Sequence, residues 1–154
     1  MATLTSNKNY LSPVGFKFTI DNQLYPNLEY FCTAVSLPSI SIAEAPMPFR
    51  GANVGFTGDR ITFDDLTIKF NITEDMDNYK ETFDWIHNIV NVGEQFKSDA
   101  ILNILTSHNN VSKTIRFSDV FPISLSGVEF TTGATEIEYL QADVTFKYTS
   151  FEFI

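Results

Sequence analysis

The sequence predicts a mainly β fold, an antiparallel β-sandwich or barrel with one α-helix on its flank. Fifteen Phe, six Tyr and one Trp occur among 154 residues, and aromatic residues favour strands. Apolar and polar side chains alternate over 65–73 and again over 137–149, which indicates strands that are buried on one face. One stretch, roughly 76–91, has the apolar spacing of a helix instead.

The length and the charge limit what the chain can be. Residues 1–154 are enough for a single domain that buries a core without disulfides or metal. The formal net charge of −9 argues against ordinary duplex binding, because such binding needs Lys and Arg at the phosphates. An acidic wall would instead repel DNA that passes beside it. No apolar run reaches the ~20 residues that span a bilayer, so no membrane-spanning segment is expected.

The N-terminal third predicts an arm followed by two strands. Residues 1–14 are polar and end at Ser12-Pro13, so we expect an extended arm. Alternation over 15–20 predicts a first strand, and the apolar run 28–35 predicts a second, which ends before Leu37-Pro38. Cys32, the single cysteine, lies in this second strand and is expected to act as a small buried hydrophobe.

Residues 39–60 stand apart because they show no regular period. This stretch contains two prolines and three glycines together with Met47, Phe49 and Phe56. We expect a long loop or an irregular hairpin. Loops of this length are uncommon in compact domains and are usually functional or disordered. Its large apolar residues indicate that it packs against something, and a partner chain is the natural candidate.

The middle and the C-terminal part predict one strand, the helix and then further strands. The strand 65–73 precedes acidic residues that suit a helix N-terminus. The expected apolar stripe of the helix, which is stopped near Gly93, comprises Tyr79, Phe83, Ile86 and Val90, widened by Trp85 and Ile89. Strands are then expected at 100–106 and 111–117 around a turn at 107–110, at 121–130, and as one long strand over 137–153.

The sequence contains no recognisable catalytic, metal-binding or cofactor-binding constellation. His87 and His108 lack a Cys or a carboxylate at ligand spacing. Asp64 and Asp65 are adjacent in an extended segment, so their side chains point to opposite faces. The glycines of 39–60 lack the strand-to-helix context of a phosphate-binding loop. We therefore expect neither an enzyme nor a cofactor.

Two motifs resemble the tail tube proteins of contractile-tailed bacteriophages. The run Phe31-Cys32-Thr33-Ala34-Val35-Ser36-Leu37-Pro38 is similar to the C-x-A-x-x-L-P segment of that family. The run from Gly58 to Thr67, GDRITFDDLT, is similar to its GDRTFDDWT signature. The helix with Phe83-Asp84-Trp85, Phe121-Pro122 and the closing strand around Val144–Tyr148 also resemble family segments, so the likeness covers most of the chain.

The resemblance implies a structural subunit of a virion, assembled in the host cytoplasm. Six copies would form a ring, the rings would stack into a tube inside a sheath and on a baseplate, and genomic DNA would pass through the lumen without sequence-specific binding. Related tubes occur in type VI secretion and other contractile injection systems. The polar strand faces then become candidates for lining the lumen: Asp65, Thr67, Lys69, Asn71, Gln141, Asp143, Thr145 and Lys147.

The resemblance also gives roles to the 39–60 segment and to the charges beside it. The segment becomes the candidate ring-stacking element, with the residues Met47, Phe49, Arg50 and Phe56. Arg60 is expected to pair with Asp59, Asp64 or Asp65, either at the base of the loop or between subunits. Two alternatives stay open: a baseplate tube initiator or tail terminator of the same fold, and a monomeric β-barrel whose Phe residues line a cavity for a small ligand.

Overall fold

The computed structural model describes residues 10–21, 32–91, 97–133 and 139–154. In these ranges, nine strands and one helix follow one another along the chain. They are β1 (Phe16–Asp21), β2 (Cys32–Ser36), β3 (Ile40–Phe49), β4 (Ala52–Phe63), β5 (Leu66–Asn71), α1 (Asp77–Asn91), β6 (Ser98–Leu105), β7 (Val111–Leu125), β8 (Gln141–Lys147) and β9 (Ser150–Phe153). The expected mainly β fold with one helix is confirmed.

Seven of the strands form two antiparallel layers that share the long strand β7. The strand order is β1-β6-β7-β8-β5-β2, and β9 also pairs with β7. The first half of β7 pairs with β6 and β9, while its second half pairs with β8. The layers are sandwich-like and do not close into a barrel. In the described residues, β1 and β2 therefore remain at the two ends of the order.

One residue with a positive φ bends β7, so that β7 can pair with strands of both layers. The pairing of β6 with β7 shifts register between Ser98 and Ala100, opposite the stretch that contains Asp119. Asp119 has a φ of 57°, which is uncommon outside glycine. Such a break bends a strand and raises its local twist. The expectation of separate strands at 111–117 and 121–130 was wrong, because the chain bends here without leaving the sheet.

The last predicted strand, by contrast, is divided in two. Residues 137–153 do not form one strand, because β8 ends at Lys147 and β9 begins at Ser150. Between them, the backbone N–H of Thr149 donates a hydrogen bond of 2.9 Å to the carbonyl of Ser118. This break moves the chain from the layer that contains β5 to the layer that contains β6. Apolar side chains occupy even positions up to Tyr148 and odd positions from Phe151, so the alternation changes phase at the break, which the expectation of one long strand overlooked.

The core lies between the two layers and comes from alternate positions of their strands. Leu66, Ile68 and Phe70 on β5 are all fully buried, as the alternation predicted. Burying large apolar side chains contributes about 1.5–3 kcal/mol each. The whole buried apolar set is Phe18, Ile20, Leu66, Ile68, Phe70, Trp85, Ala100, Leu102, Ile115, Phe117, Val120, Ala142, Val144 and Phe146.

The helix docks through part of the predicted apolar stripe, including Trp85, and through two polar residues that lie outside the stripe. Its buried residues are Asn78, Thr82 and Trp85, and the Trp85 ring lies 5.8 Å from the ring of Phe146. Phe83 and Val90 were expected in the stripe but are 52% and 76% exposed. Two of the three buried residues are polar, and a count of apolar residues could not find them.

Hydrogen bonds satisfy the buried polar residues at the start of α1. The Asn78 amide donates to the carbonyl of Asn71 over 2.7 Å, and its oxygen accepts from the backbone N–H of Tyr79 over 2.9 Å. The Thr82 hydroxyl donates to the carbonyl of Asn78 over 3.1 Å. Because these groups are paired, their burial costs little, and they fix the helix to the end of β5.

Several sequence expectations fall outside the described residues. These are the arm at 1–9, the segment 28–31 of the second predicted strand, the helix stop at Gly93, and residues 137–138 of the last one. In the described part of the chain, no helix is both long and apolar enough to cross a membrane.

Candidate functional site

The eight polar residues predicted to share a function meet on one sheet face as a polar ladder. In the antiparallel register of β5 with β8, Thr67 lies opposite Thr145, Lys69 opposite Asp143, and Asn71 opposite Gln141. One step beyond, Lys147 reaches Asp65. The polar ladder therefore has four rungs, each formed by one predicted residue from each strand segment. Side chains that lie opposite each other on one face of a sheet interact, and such pairs stabilise the sheet.

Each charged or amide rung of the ladder is closed by a side-chain contact. The Lys147 ammonium lies 2.8 Å from the Asp65 carboxylate, and the Lys69 ammonium lies 4.0 Å from that of Asp143. The Gln141 amide donates a hydrogen bond of 3.0 Å to the side-chain oxygen of Asn71. The four charged side chains remain about half exposed, so these ion pairs contribute little to stability. These ion pairs matter instead for the net charge of the ladder face.

The ladder face is electrically neutral although the chain is acidic. Two lysines and two aspartates sum to zero, whereas the whole chain carries −9. The acidic wall that the net charge suggested is therefore absent from this face. The sequence carried a signal for the pairing: Asp65, Thr67, Lys69 and Asn71 are matched by Lys147, Thr145, Asp143 and Gln141 when the second segment is read backwards.

The same face continues onto both neighbouring strands. Ser36 of β2 lies opposite Thr67, and Ser124 of β7 lies opposite Thr145, so hydroxyl side chains cross four strands in one row. Phe121 lies opposite Lys147, and the Lys97 ammonium lies 5.8 Å from the centre of its ring. A row of hydroxyl groups thus crosses the face, with Ala34 opposite Lys69 on the β2 side and a cation–aromatic contact on the β7 side.

Residues 40–63 form a bulged β-hairpin that, among the described strands, pairs only with itself. Strands β3 and β4 make a two-stranded sheet, joined by a turn at Arg50 and Gly51. Gly51 has a φ of 74°, which glycine adopts without steric cost. Of the two alternatives, the irregular hairpin is confirmed and the loop is wrong. Prolines and glycines masked the alternation, because they contribute no large side chain to one of the two faces.

The outer half of the hairpin has one apolar face, which we call the hairpin apolar face. In its register Met47 lies opposite Val54, Ala45 opposite Phe56 and Phe49 opposite Ala52. Met47, Phe49 and Phe56 are 58%, 72% and 53% exposed. Met47, Pro48, Phe49, Val54 and Phe56 border a groove of about 410 Å³. The three predicted apolar residues thus share one surface, and Val54 is a fourth member that the sequence reading missed.

A bulge separates this outer half from the base of the hairpin. Between the pairs Ile42–Ile61 and Glu44–Thr57, one residue of β3 faces three residues of β4. At the bulge the backbones approach closely, and a Cβ at Gly58 would overlap the carbonyl group of Ala43. Gly58, the first residue of the GDR run, is therefore required by the close approach of Ala43.

The base of the hairpin is fastened to the sandwich by Phe63 and Asp64. The Phe63 ring lies 5.2 Å from the ring of Phe151 and 6.0 Å from that of Tyr148. The carbonyl of Asp64 accepts a hydrogen bond from the Tyr148 hydroxyl, and its carboxylate accepts one from the Ser39 hydroxyl. Burial, with the nearby carboxylates of Asp64 and Asp65, raises the pKa of Tyr148 to about 12. The hydroxyl therefore stays protonated and remains a donor.

The ion pairs expected around Arg60 do not form within this chain. Among the residues that the structure describes, no ion pair joins Arg60 to Asp59, Asp64 or Asp65, and Asp65 pairs with Lys147 instead. Arg60 lies in the bulge, while Asp64 is held at the hairpin base by Ser39. A pair between subunits stays a prediction.

The described residues offer little support for a metal site or for a reactive cysteine. Within the four described ranges, no group of three or more His, Cys, Asp or Glu is placed to hold a metal ion. Cys32 is half-buried, and burial raises the pKa of its thiol to about 11. The thiol is therefore protonated at neutral pH, which is unlike a reactive cysteine.

Comparison with known proteins relates both the sequence and the fold to tube components. Residues 3–154 match the family model described as phage tail tube protein. No curated protein matches the chain by sequence. A chain of the sheath-tube complex of the extracellular contractile injection system PVC, in its extended state, is 18% identical with a TM-score of 0.71, and the match covers 99% of each chain.

Two further solved structures have the same fold. A chain of the PVC sheath/tube terminator is 18% identical with a TM-score of 0.73, over 96% of this chain and 99% of that one. Hcp1 from Flavobacterium johnsoniae is 13% identical with a TM-score of 0.55, over 90% of this chain and 94% of that one. At these identities the likeness shows the shared fold.

Proposed function

Because the chain belongs to the phage tail tube protein family, we propose that it is a structural subunit of a phage tail tube. Six copies form a ring, and stacked rings enclose a channel through which the genome leaves the particle. The observation that carries this proposal is the match of residues 3–154 to the family, together with two exposed surfaces suited to assembly. The protein acts mechanically and performs no chemistry.

The polar ladder is the surface that we assign to the channel wall. Its sheet has its apolar side in the core, and its other side carries the four polar rungs and a row of hydroxyl groups. Along the ladder, such a wall gives a passing polymer few apolar groups to adhere to. If the sheets of neighbouring subunits join edge to edge, the ladders form a continuous inner lining.

The strands at the ends of the sheet order provide edges for closing a ring. In the described part of the chain, β1 pairs only with β6, and β2 pairs only with β5. An unpaired edge offers backbone donors and acceptors to another chain. Thr33, Ala34 and Ser36 on β2 are exposed. Pairing between subunits in a closed ring would satisfy these edges and would prevent open-ended aggregation.

The hairpin apolar face is the surface that we assign to ring stacking. Solvent-exposed apolar side chains at this density mark interaction surfaces in soluble proteins. The hairpin pairs with no other strand in the ranges that the structure describes, which suits an element that lies against the next ring. Arg50 at the turn is placed to contact a polar group of that ring. On the outside of the tube, sheath and baseplate proteins are the expected partners, and the particle is a virion assembled in the host cytoplasm.

A second candidate function is a tube terminator or a baseplate tube initiator. The fold match to a chain of the sheath/tube terminator has a TM-score of 0.73, as high as the match to the sheath-tube complex at 0.71. A terminator or an initiator would make rings of the same symmetry but would not continue to stack. A tube subunit and a terminator or initiator would therefore form rings of the same geometry, and only the rings of the tube subunit would continue to stack.

A monomeric β-barrel with a ligand cavity, the third candidate, finds less support. Its cavity was expected to be lined by Phe, but Phe70, Phe117 and Phe146 are 0% exposed. A ring that bordered a space large enough for solvent would have measurable exposure. These rings therefore fill the core.

Negative-stain electron microscopy of the purified full chain tests the proposal. A tube subunit gives long stacked tubes on its own or on added tube seeds. A terminator or an initiator gives single rings or short stacks that stop growing. A chain that stays monomeric at high concentration, with and without seeds, would contradict both assignments.

A further inference from the structure

The lysines of the polar ladder are each held by an aspartate across the strand pair. Lys147 lies 2.8 Å from Asp65, and Lys69 lies 4.0 Å from Asp143. A lysine binds nucleic acid by neutralising a phosphate and releasing its counterions. A lysine whose charge is already balanced by an adjacent carboxylate gains less from that exchange.

We propose that Asp65 and Asp143 keep the wall of the channel from retaining nucleic acid, by balancing the charges of Lys147 and Lys69. This inference rests on the proposed function, in which the ladder face lines the channel. It assigns a distinct role to two residues: they determine how weakly the wall holds DNA. The net charge of the chain cannot supply this property, because the ladder itself sums to zero.

The arrangement is suited to transport because it balances charge locally. A wall with free lysines would hold phosphates at many points along a polymer. A strongly acidic wall would instead oppose the entry of DNA through repulsion. Alternating opposite charges, a few ångströms apart, produce a field that decays quickly with distance from the wall. The hydroxyl row of Ser36, Thr67, Thr145 and Ser124 adds neutral hydrogen-bonding groups between the charged rungs.

One further cation lies beside the ladder and must be considered in any test. The Lys97 ammonium is placed over the ring of Phe121, 5.8 Å from its centre, next to the rung that contains Lys147. It is a separate source of background binding, and Lys97→Gln removes it. The proposal concerns the change that follows when either aspartate is neutralised.

Co-sedimentation of a short labelled DNA duplex with assembled tubes tests the inference. Asp143→Asn frees Lys69 and Asp65→Asn frees Lys147, each raising the net charge by one. The matched control is Asp84→Asn, which frees Lys80 from a 2.9 Å ion pair on the helix, with the same change in net charge. We expect wild-type and Asp84→Asn tubes to retain little DNA. The two ladder variants should retain several-fold more at low salt.

The salt dependence and a compensating variant make the test specific. Each newly formed phosphate contact should steepen the slope of log K against log salt by about 0.9. The double variant Lys69→Gln with Asp143→Asn removes both charges and should return retention to the wild-type level. Equal retention by Asp143→Asn and Asp84→Asn, or strong retention by wild-type tubes, would overturn the inference.

A second experiment, with subunits attached to beads, distinguishes failure of this inference from failure of the proposed function. Full-length subunits attached to beads by one terminus present the ladder face whether or not tubes form. We expect the same order of DNA retention on beads as in tubes. If beads show that order while microscopy shows no tubes, the proposed function fails and the charge balance stands. If tubes form and neither format shows the order, the charge balance fails alone.

Discussion

The Tyr148 hydroxyl donates a hydrogen bond of 2.7 Å to the backbone carbonyl of Asp64. Tyr148 directly follows β8, which carries one side of the polar ladder, and Asp64 lies at the base of the hairpin. The bond therefore joins the proposed channel wall to the proposed stacking element. The rings of Phe63, Phe117 and Phe151 surround Tyr148 and complete the junction.

Tyr148→Phe should lower the free energy of unfolding by about 0.5–1.5 kcal/mol, the usual contribution of one hydrogen bond. Urea denaturation followed by the fluorescence of Trp85, the single tryptophan, measures this change. Tyr139→Phe is the matched control, because Tyr139 is 81% exposed and should tolerate the change. Equal stability of both variants would remove Tyr148 as the link to the hairpin.

Phe49→Asp or Phe56→Asp should prevent stacking and leave the subunit folded. Both side chains are largely exposed, so stability should change by less than about 0.5 kcal/mol. A charge on the hairpin apolar face would have to be buried between rings, which is costly. Electron microscopy should show single rings in place of tubes.

Asn53→Asp provides the control for the stacking variants. Asn53 lies opposite Pro48 on the other face of the hairpin, and the substitution adds the same charge one cross-strand pair further from the turn than Phe49. We expect this variant to form tubes. Normal tubes from Phe49→Asp would show that the hairpin apolar face has another role.

Gly58→Ala should disturb the hairpin at its bulge. The added methyl group would overlap the carbonyl group of Ala43, and overpacking of this kind costs about 1–3 kcal/mol. Gly127→Ala is the comparison, since a Cβ at Gly127 meets no atom within 4 Å. Circular dichroism melting curves of the two variants distinguish them. A Gly58→Ala melting temperature equal to that of Gly127→Ala would mean that the bulge relaxes freely.

Trp85→Ala should be strongly destabilising, and Phe83→Ala should be nearly neutral. Trp85 is fully buried against Phe146, and large-to-small changes at such sites cost about 3–5 kcal/mol. Phe83 is half exposed on the same helix. Thermal melting of both variants, followed by far-ultraviolet circular dichroism, compares them. A larger effect at Phe83 would show that the helix docks through its Phe83 side and not through Trp85.

The sequence was sufficient to predict which side chains of these strands face the core and which face away from it. Strict alternation correctly put Leu66, Ile68 and Phe70 in the core and grouped the eight ladder residues outside it. It could not show that Lys69 lies opposite Asp143, because register depends on how two distant segments align. The complementary order of the two segments contained that information.

Other features could not be predicted from the spacing of apolar residues, for physical reasons. Besides Trp85, which the stripe included, the helix docks through Asn78 and Thr82, whose burial depends on hydrogen bonds and leaves no apolar period. The hairpin alternates, but proline and glycine occupy one of its faces and hide the period. The bend at Asp119 is decided by which strands are neighbours, which a linear sequence does not state.

An electron cryo-microscopy reconstruction of the assembled chain tests the central claim most directly. We expect end-on views with six-fold symmetry, Lys69 and Asp143 at the channel surface, and the hairpin apolar face of Met47, Phe49 and Phe56 in contact with the adjacent ring. A reconstruction with the ladder on the outside of the tube, or a particle that is only ever monomeric, would contradict it.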